Sequence, residues 1–495
     1  MSRIAAVLRS WAVDVTPLRV NRQFRLLFTG RLVSLIGLSM LTVVFSVHAY
    51  DLTGSSLHVA LINTALGLST LAGALVGGVL ADRTDRRRVI LISRGLALAG
   101  FVALAVNAML PSPMLWVLYA FALWDGITGS IGATAFGAAV PSVVPRSMLP
   151  ATGALMAISI DLGAAIAPVA GGLIAAGGGY ELVYGLVAAI SAASWLVLFR
   201  LRPMLPGAGE DDGPDDPDDP DGEQYGEDDD VPETVRGAVG SWYRDLTQGV
   251  RFVRRERVVG AVLMIGVIQI LFASPHVLIP QFVTENLGGG AAEAGLMYSA
   301  ASVGALLATL ASGGLARVRR IGLLVIGVNV FAALTVVGFG LAQAVWMAAA
   351  AMLLVGAGDV VAEILRFTVI SESTPDRLRG RVQGLWSAQT TAGDSLGGPA
   401  LSIVARFIGA GGAIVTGGLI AAAAVAAMLL TNPELRRLQR DPDQPAGDGM
   451  AHEGDETAHE PAGAAAEDVV AEAVSAGTGA TENENEYRST LGGKP

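Results

Sequence analysis

Twelve long apolar runs dominate the chain, and short polar or glycine-containing connections separate them. Each run is long enough to cross the roughly 30 Å of hydrocarbon in a bilayer as an α-helix. Because the runs do not alternate apolar and polar residues, they do not fit the strands of a transmembrane barrel. The predicted spans are Phe24–Ala49, Leu57–Ala81, Val89–Leu110, Met114–Ala138, Ala151–Ala175, Leu182–Leu201, Val258–Val283, Ala291–Ala316, Ile321–Ala342, Ala344–Ile370, Val382–Ile408 and Ala413–Leu430.

The last six spans repeat features of the first six about 230 residues later. The glycine pair Gly77-Gly78 near the end of the second span has a counterpart in Gly313-Gly314, and Gly163 has one in Gly393. A period this long is typical of a duplicated transporter fold. We therefore predict an all-α polytopic membrane protein with about 12 transmembrane helices in two six-helix bundles.

This organisation divides the chain into four parts. Residues 1–201 are the N-terminal bundle with an amphipathic N-terminus, and residues 258–431 are the C-terminal bundle. Residues 202–257 are predicted to form a cytoplasmic acidic linker with an amphipathic helix, and residues 432–495 a disordered acidic cytoplasmic tail. The two amphipathic stretches fit helices lying on the membrane surface, and packing against the ends of neighbouring spans is the alternative.

The net charge of −11 conceals a basic membrane body. Glu210–Glu233 holds 14 acidic residues and no base, and the chain from Asp441 onward holds 13 acidic residues. Outside these segments, 17 acidic residues stand against 31 basic ones. The arginines concentrate in alternate connections, so the positive-inside rule predicts a multi-pass protein of the cytoplasmic (inner) membrane with both termini in the cytoplasm.

Several chemistries lack the residues that they need. The chain has no cysteine, which excludes disulfides, thiolate metal sites and cysteine nucleophiles. A phosphate-binding loop requires a lysine, and the only lysine is Lys494 near the C-terminus. The histidines show no metal-ligand spacing. We expect a protein that is not an enzyme and that has no cofactor, no metal site and no nucleic-acid partner.

Ionisable side chains inside the predicted spans are candidate functional groups, because a charge in hydrocarbon is costly. Asp125, Asp161 and Asp394 fall near the middle of their spans, where burial favours a neutral carboxyl group and proton carriage becomes possible. The alternative for each is a static pair or hydrogen bond that fixes helix packing. The ionisable residues identified are Arg31, Asp125, Asp161, Asp359, Glu363, Arg366 and Asp394.

Other intramembrane residues have competing interpretations. Asp359 and Glu363 share a helix face and are candidates for proton coupling, although Glu363 with Arg366 favours a structural ion pair. Arg31 could meet a carboxylate or phenolate of a substrate, or extend to the cytoplasmic headgroups. The residues that could line a cavity for an aromatic or amide-rich ligand are Trp124, Trp386 and Gln389.

Three sets of residues resemble a known family. The loop from Gly78 to Arg88, with the sequence GVLADRTDRRR, resembles the signature loop of the major facilitator superfamily. In the fifth span, Gly163, Pro168 and Gly171 resemble its antiporter motif. The segments Leu123-Trp124-Asp125-Gly126 and Gly380 to Asp394 resemble the branch that exports enterobactin and related siderophores. The similarity covers about 21–430.

The resemblance implies a conformational gate in the signature loop, at Gly78, Asp82, Arg83, Arg86 and Arg87. Asp82 would pair across the interface between the bundles, or cap a neighbouring helix, and so hold the outward-facing state. The alternative is a topology anchor on anionic lipid. The sequence also departs from the family pattern, because the arginine that many drug antiporters carry in the fourth span is missing.

The predicted function is a secondary active transporter that exports a siderophore-like small molecule, by proton antiport. A multidrug or macrolide-type efflux pump is the alternative within transport, and a non-transporting receptor or scaffold is the alternative of another class. A scaffold has no reason to bear the cost of intramembrane charges. The predicted partners are the small-molecule substrate, protons and the lipid bilayer, with the chain acting as a monomer.

Overall fold

The computed structural model of the chain describes residues 15–205, 249 and 251–439. Most of the predicted amphipathic N-terminus, of the acidic linker and of the acidic tail lies outside the described residues, apart from the short helices Thr16–Val20 and Pro433–Arg437. The side chain of Asp394 also lies outside the described part of the chain.

In the described part, ten helices are long and apolar enough to cross a membrane. Two of these helices are broken at one glycine each, Gly179 and Gly409, so each provides two crossings. The predicted number of twelve spans is therefore present in the described residues. We number them α1 (Arg22–Thr53), α2 (Ser56–Arg83), α3 (Arg86–Ala108), α4 (Leu115–Val143), α5 (149–178), α6 (180–198), α7 (Arg257–Leu287), α8 (Ala291–Ala311), α9 (Ile321–Gly340), α10 (Val345–Glu372), α11 (376–408) and α12 (410–431).

Local chemistry moves several helix ends away from the predicted apolar runs. The Asn21 side chain accepts hydrogen bonds from the Gln23 and Phe24 amides, so α1 begins at Arg22 rather than at the first apolar residue. α7 consists of Arg257–Phe272, a 3₁₀ turn and Ile279–Leu287, because prolines at 275 and 280 interrupt a continuous helix.

Positive backbone φ angles mark the duplication of the fold. In the described residues they occur at four glycines, which form two pairs. Gly54 ends α1 and Gly288 ends α7, both in the left-handed region and 234 positions apart. Gly179 and Gly409 make the turns α5–α6 and α11–α12, 230 positions apart. Glycine adopts these angles without steric cost, so both halves use the same turn chemistry at the same place.

The four glycine turns lie at one end of the helices, which we call the glycine-turn end. The opposite end, the arginine-rich end, carries the connections 83–86, 143–149, 199–205, 312–320 and 373–376. At the glycine-turn end, one cluster of buried apolar residues includes members of both halves, such as Val47 and Phe282. At the arginine-rich end the buried clusters are separate, one around Ile90 in the first half and another around Val325 in the second.

Candidate functional site

Helices α5 and α8 hold the two halves together at the glycine-turn end. A Cβ on Gly172 would overlap the carbonyl oxygen of Ala291, and a Cβ on Gly295 would lie 2.6 Å from the carbonyl oxygen of Pro168. The Val169 amide, next to that proline, donates a hydrogen bond of 3.0 Å to Ser299 Oγ on α8. Small residues thus allow the two backbones to approach closely.

The antiporter motif also contacts helix α1. A Cβ on Gly171 would lie 3.1 Å from the Met40 carbonyl oxygen, and one on Gly163 would lie 3.7 Å from the Leu35 backbone. Gly163 and Gly171 therefore pack α5 against its own half, whereas Pro168 lies at the contact with α8 in the other half. One short motif connects the inside of a bundle to the interface between bundles.

Polar contacts at the same end join other pairs of helices across the two halves. Tyr50 on α1 donates a hydrogen bond of 2.9 Å to Glu285 Oε1 on α7, and Gln281 donates to both oxygens of that carboxylate at 3.1 Å. Ser402 on α11 donates to the Ser56 carbonyl oxygen on α2 at 3.2 Å. The Tyr50–Glu285 and Ser402–Ser56 bonds join the two halves and supplement the apolar cluster in closing the glycine-turn end, while Gln281, also on α7, holds the Glu285 carboxylate in place.

The signature loop lies at the arginine-rich end, and two of its arginines form hydrogen bonds within the first half. Arg87 donates to the Phe199 carbonyl oxygen at 2.9 Å, and Arg86 Nε donates to that of Ala81 at 3.4 Å. Asp82 and Arg83 are exposed, and a Cβ on Gly78 would meet open space. Arg87 is therefore hydrogen-bonded to the end of α6 and Arg86 to the end of α2, whereas the Asp82 side chain is exposed.

A charged cluster lies inside the first half, between α1, α3 and α4. Arg94 on α3 donates a hydrogen bond of 2.6 Å to Ser34 Oγ on α1. The same guanidinium interacts electrostatically with Asp125 on α4 and with Arg31 on α1. The Arg31 guanidinium lies 4.9 Å from the centre of the Phe136 ring, and its buried Nε has no hydrogen-bond partner in the described structure.

Arg94 is the member of this cluster that the sequence analysis missed. It lies inside the third predicted span, eight residues after Arg86. Because Arg86, Arg87 and Arg88 precede it, Arg94 was not recognised as a separate arginine within the span. The available signal was the depth of Arg94, because an arginine two turns inside a span is too far in to count as part of the loop.

The second half contains a cluster built from α7, α10 and α11. Arg366 is only 8% exposed, and its guanidinium lies 5.4 Å from the centre of the Trp386 ring. Asp359 and Glu363 interact with Arg366 electrostatically, Asp359 being partly buried and Glu363 exposed. Gln389 packs against Gly266, close to Arg366. Trp386 and Gln389 thus surround a buried cation in this conformation.

Two predicted residues remain, Trp124 and Asp161. Trp124 is 43% exposed and donates to the Leu96 carbonyl oxygen at 2.8 Å. Asp161 is partly buried and has no hydrogen-bond or ion-pair partner among the described residues. No group of three or more histidine, aspartate and glutamate side chains in the described part of the chain could hold a metal ion.

Comparison with known sequences identifies the family. The family model described as Major Facilitator Superfamily matches residues 27–275, which is half of the chain. The chain belongs to the major facilitator superfamily. The family model described as transmembrane secretion effector matches residues 237–453. Because members of this superfamily are membrane transporters, the protein is a multi-pass transporter and not an enzyme, as the sequence predicted.

Curated relatives match nearly the whole chain. The enterobactin exporter EntS of Shigella boydii is 33% identical over 443 residues, which cover 88% of this chain and 98% of the relative. EntS of Escherichia coli O6:K15:H31 is also 33% identical, over 89% of this chain and 99% of the relative. The predicted resemblance to the enterobactin-exporter branch is confirmed.

Solved structures support the fold. A POT family transporter in complex with 5-aminolevulinic acid has a TM-score of 0.61 at 14% identity, covering 84% of this chain and 97% of the other. The nucleoside transporter NupG has a TM-score of 0.62 at 13% identity, covering 82% and 99%. At such low identity these likenesses concern the fold alone.

Proposed function

We propose that the protein exports a siderophore-like small molecule across the cytoplasmic membrane in exchange for protons. The observation that carries the substrate class is the 33% identity to enterobactin exporters over 88% of the chain. The two tryptophan-containing segments whose sequences resemble this branch, around Asp125 and before Asp394, belong to different halves.

The proposed direction depends on the charge of the loops. With the arginine-rich end in the cytoplasm, the contacts of α5 with α8 and of α2 with α11 close the path to the outside. The separate apolar clusters at the other end support an opening between the halves on the cytoplasmic side. This conformation would be the one that loads the substrate for export.

The proposed energy source is the proton gradient. Asp125 and Asp359 interact electrostatically with arginines in opposite halves, and Asp394 is a further candidate. A carboxyl group that is reached alternately from the two sides can take up a proton outside and release it inside. Substrate contact is assigned to Arg31, whose Nε lacks a partner, and to the side chains of Trp124, Trp386 and Gln389.

Deletion of the gene tests the substrate class. Under iron limitation, the deletion strain should accumulate its siderophore in the cells and lose it from the medium, as measured by mass spectrometry of both. The wild-type gene should restore secretion, whereas Asp125→Asn or Asp394→Asn should abolish net efflux while the protein still reaches the membrane. Normal secretion combined with new drug sensitivity would instead identify a multidrug pump.

Reporter fusions test the orientation. Fusions at Gly222 in the linker and at Gly449 in the tail should be active only with a reporter that works in the cytoplasm. Activity of an external-side reporter at either position would overturn the proposed topology and, with it, the direction of transport.

A further inference from the structure

We propose that Arg94 is a positioning residue that holds Asp125 in its ionised form when the arginine-rich end is open, and thereby makes Asp125 release its proton toward that end. The inference rests on the proposed function, in which Asp125 carries a proton. Arg94 has no place in the signature loop, in the antiporter motif or among the predicted site residues.

The register of α3 against α4 brings Arg94 and Asp125 together. On one side of the pair, Trp124 Nε1 donates to the Leu96 carbonyl oxygen at 2.8 Å. On the other side, a Cβ on Gly132 would lie 2.6 Å from Ser93 Oγ. These two contacts fix the antiparallel helices so that Arg94 and Asp125 are within about one helical turn of each other.

The position of each side chain within that interval follows from its own contacts. Asp125 Oδ1 lies over Gly129, where a Cβ would be 3.8 Å away, so the carboxylate leans toward the level of Arg94. Arg94 does not extend to the headgroups, because its Nη1 is held at 2.6 Å by Ser34 Oγ on α1. The guanidinium is therefore fixed where α1, α3 and α4 meet.

The charge balance of the cluster favours an ionised Asp125. The charged groups that face this site among the described residues are Arg94 on α3 and, beyond it, Arg31 on α1. With Asp125 ionised the three side chains carry a net charge of +1, and with Asp125 protonated they carry +2. A protonated Asp125 leaves the two arginines without a counter-ion, so Arg94 offsets part of the cost of burying the Asp125 carboxylate and favours release of its proton in this conformation.

Infrared difference titration of the purified full-length protein in lipid nanodiscs tests the inference without any substrate. Only a protonated carboxyl group shows the carboxyl C=O stretching band, and the component lost in Asp125→Asn belongs to Asp125. In Arg94→Gln, the pH at which half of this component remains should rise by about one unit or more, because an opposite charge nearby favours the ionised form. Arg94→Lys keeps the charge, so the titration midpoint of Asp125 in this variant should lie close to the wild-type value.

Two further variants separate a counter-ion from a structural role. Ser34→Ala removes the acceptor that holds Arg94, and should move the titration in the same direction by a smaller amount. Arg31→Gln should also produce a smaller shift in that direction, because it removes a positive charge that lies farther from Asp125 than Arg94 does. If Arg94→Gln does not reach the membrane, Ser34→Ala and Arg94→Lys replace it: Ser34→Ala should raise the Asp125 titration more than the charge-conserving Arg94→Lys does.

An unchanged Asp125 titration in Arg94→Gln would overturn the inference, as would equal shifts in Arg94→Gln and Arg94→Lys. If the titration moves as expected but Asp125→Asn exports normally, Arg94 is the counter-ion of Asp125 while the coupling assignment in the proposed function is wrong. The two failures are therefore distinguishable.

Discussion

The two ends of the transporter are built on different principles. At the glycine-turn end, glycine backbones, one shared apolar cluster and several hydrogen bonds join the halves. At the arginine-rich end, each half has its own apolar cluster, and Arg87 bonds within its own half. Close packing of small residues joins the halves at the first end, whereas the second end has separate apolar clusters in the two halves.

The chain offers an unusual means of testing this comparison, because it has no cysteine. Cysteines introduced for spin labels would be the only labelling sites. Gly177→Cys and Gly290→Cys lie in opposite halves at the glycine-turn end, and a Cβ at either position meets open space. The distance between the two labels reports directly whether that end is closed.

The largest effect is expected from Gly172→Leu. Its side chain would overlap Ala291 and Gly295, and overpacking of this kind costs about 1–3 kcal/mol, which corresponds to a shift of roughly 5–150-fold in a conformational equilibrium. The label distance at the glycine-turn end should lengthen, and siderophore export should fall to a small fraction of wild type. Gly185→Leu on α6 is the matched control, because a Cβ there meets nothing. Equal losses in both variants would show that the α5–α8 contact is not what closes this end.

A smaller effect is expected from Asp82→Asn. Asp82 is exposed here, so its proposed cross-interface contact belongs to the state in which the arginine-rich end is closed. Removing the charge should leave expression unchanged, slow export in vesicles by several-fold, and raise the population in which the glycine-turn end is closed. Asp82→Glu is the charge-conserving control. Normal export rates with unchanged label distances would reduce the signature loop to a topology anchor.

Sequence predicted the span count and the family, but not the polar contacts between halves. Hydropathy and the spacing of glycines can be read directly along the chain, and the twelve helices of the structure confirm both patterns. Tyr50–Glu285 and Val169–Ser299 join residues that are distant in sequence and that carry no shared motif. Arg94 was missed for a related reason: in sequence it follows other arginines closely, and its contact with Ser34 on α1 is seen only in the structure.

Removal of the Tyr50–Glu285 hydrogen bond should have an effect between that of Gly172→Leu and that of the tail deletion described below. Glu285 is exposed and water can replace the lost partner, so Tyr50→Phe should weaken the closed glycine-turn end by only about 1 kcal/mol, a shift of roughly fivefold. A double-mutant cycle with Glu285→Gln should show coupling, measured from the populations of the two label distances. Tyr119→Phe, which loses a bond to His58 inside the first half, should leave those populations unchanged. Additive effects of Tyr50→Phe and Glu285→Gln would mean that this bond does not hold the halves together.

The smallest effect is expected from deletion of residues 449–495. This segment is rich in acidic residues and poor in large apolar ones, so it has little to bury against the entropy of ordering. None of the described contacts at either end involves it, since the described residues end at 439. The truncated protein should insert into the membrane, give the same label distances at the glycine-turn end, and export siderophore at the wild-type rate. A failure of insertion would assign the tail a structural role. Normal insertion with an altered population of the closed state would show instead that the tail acts on the equilibrium between the two ends.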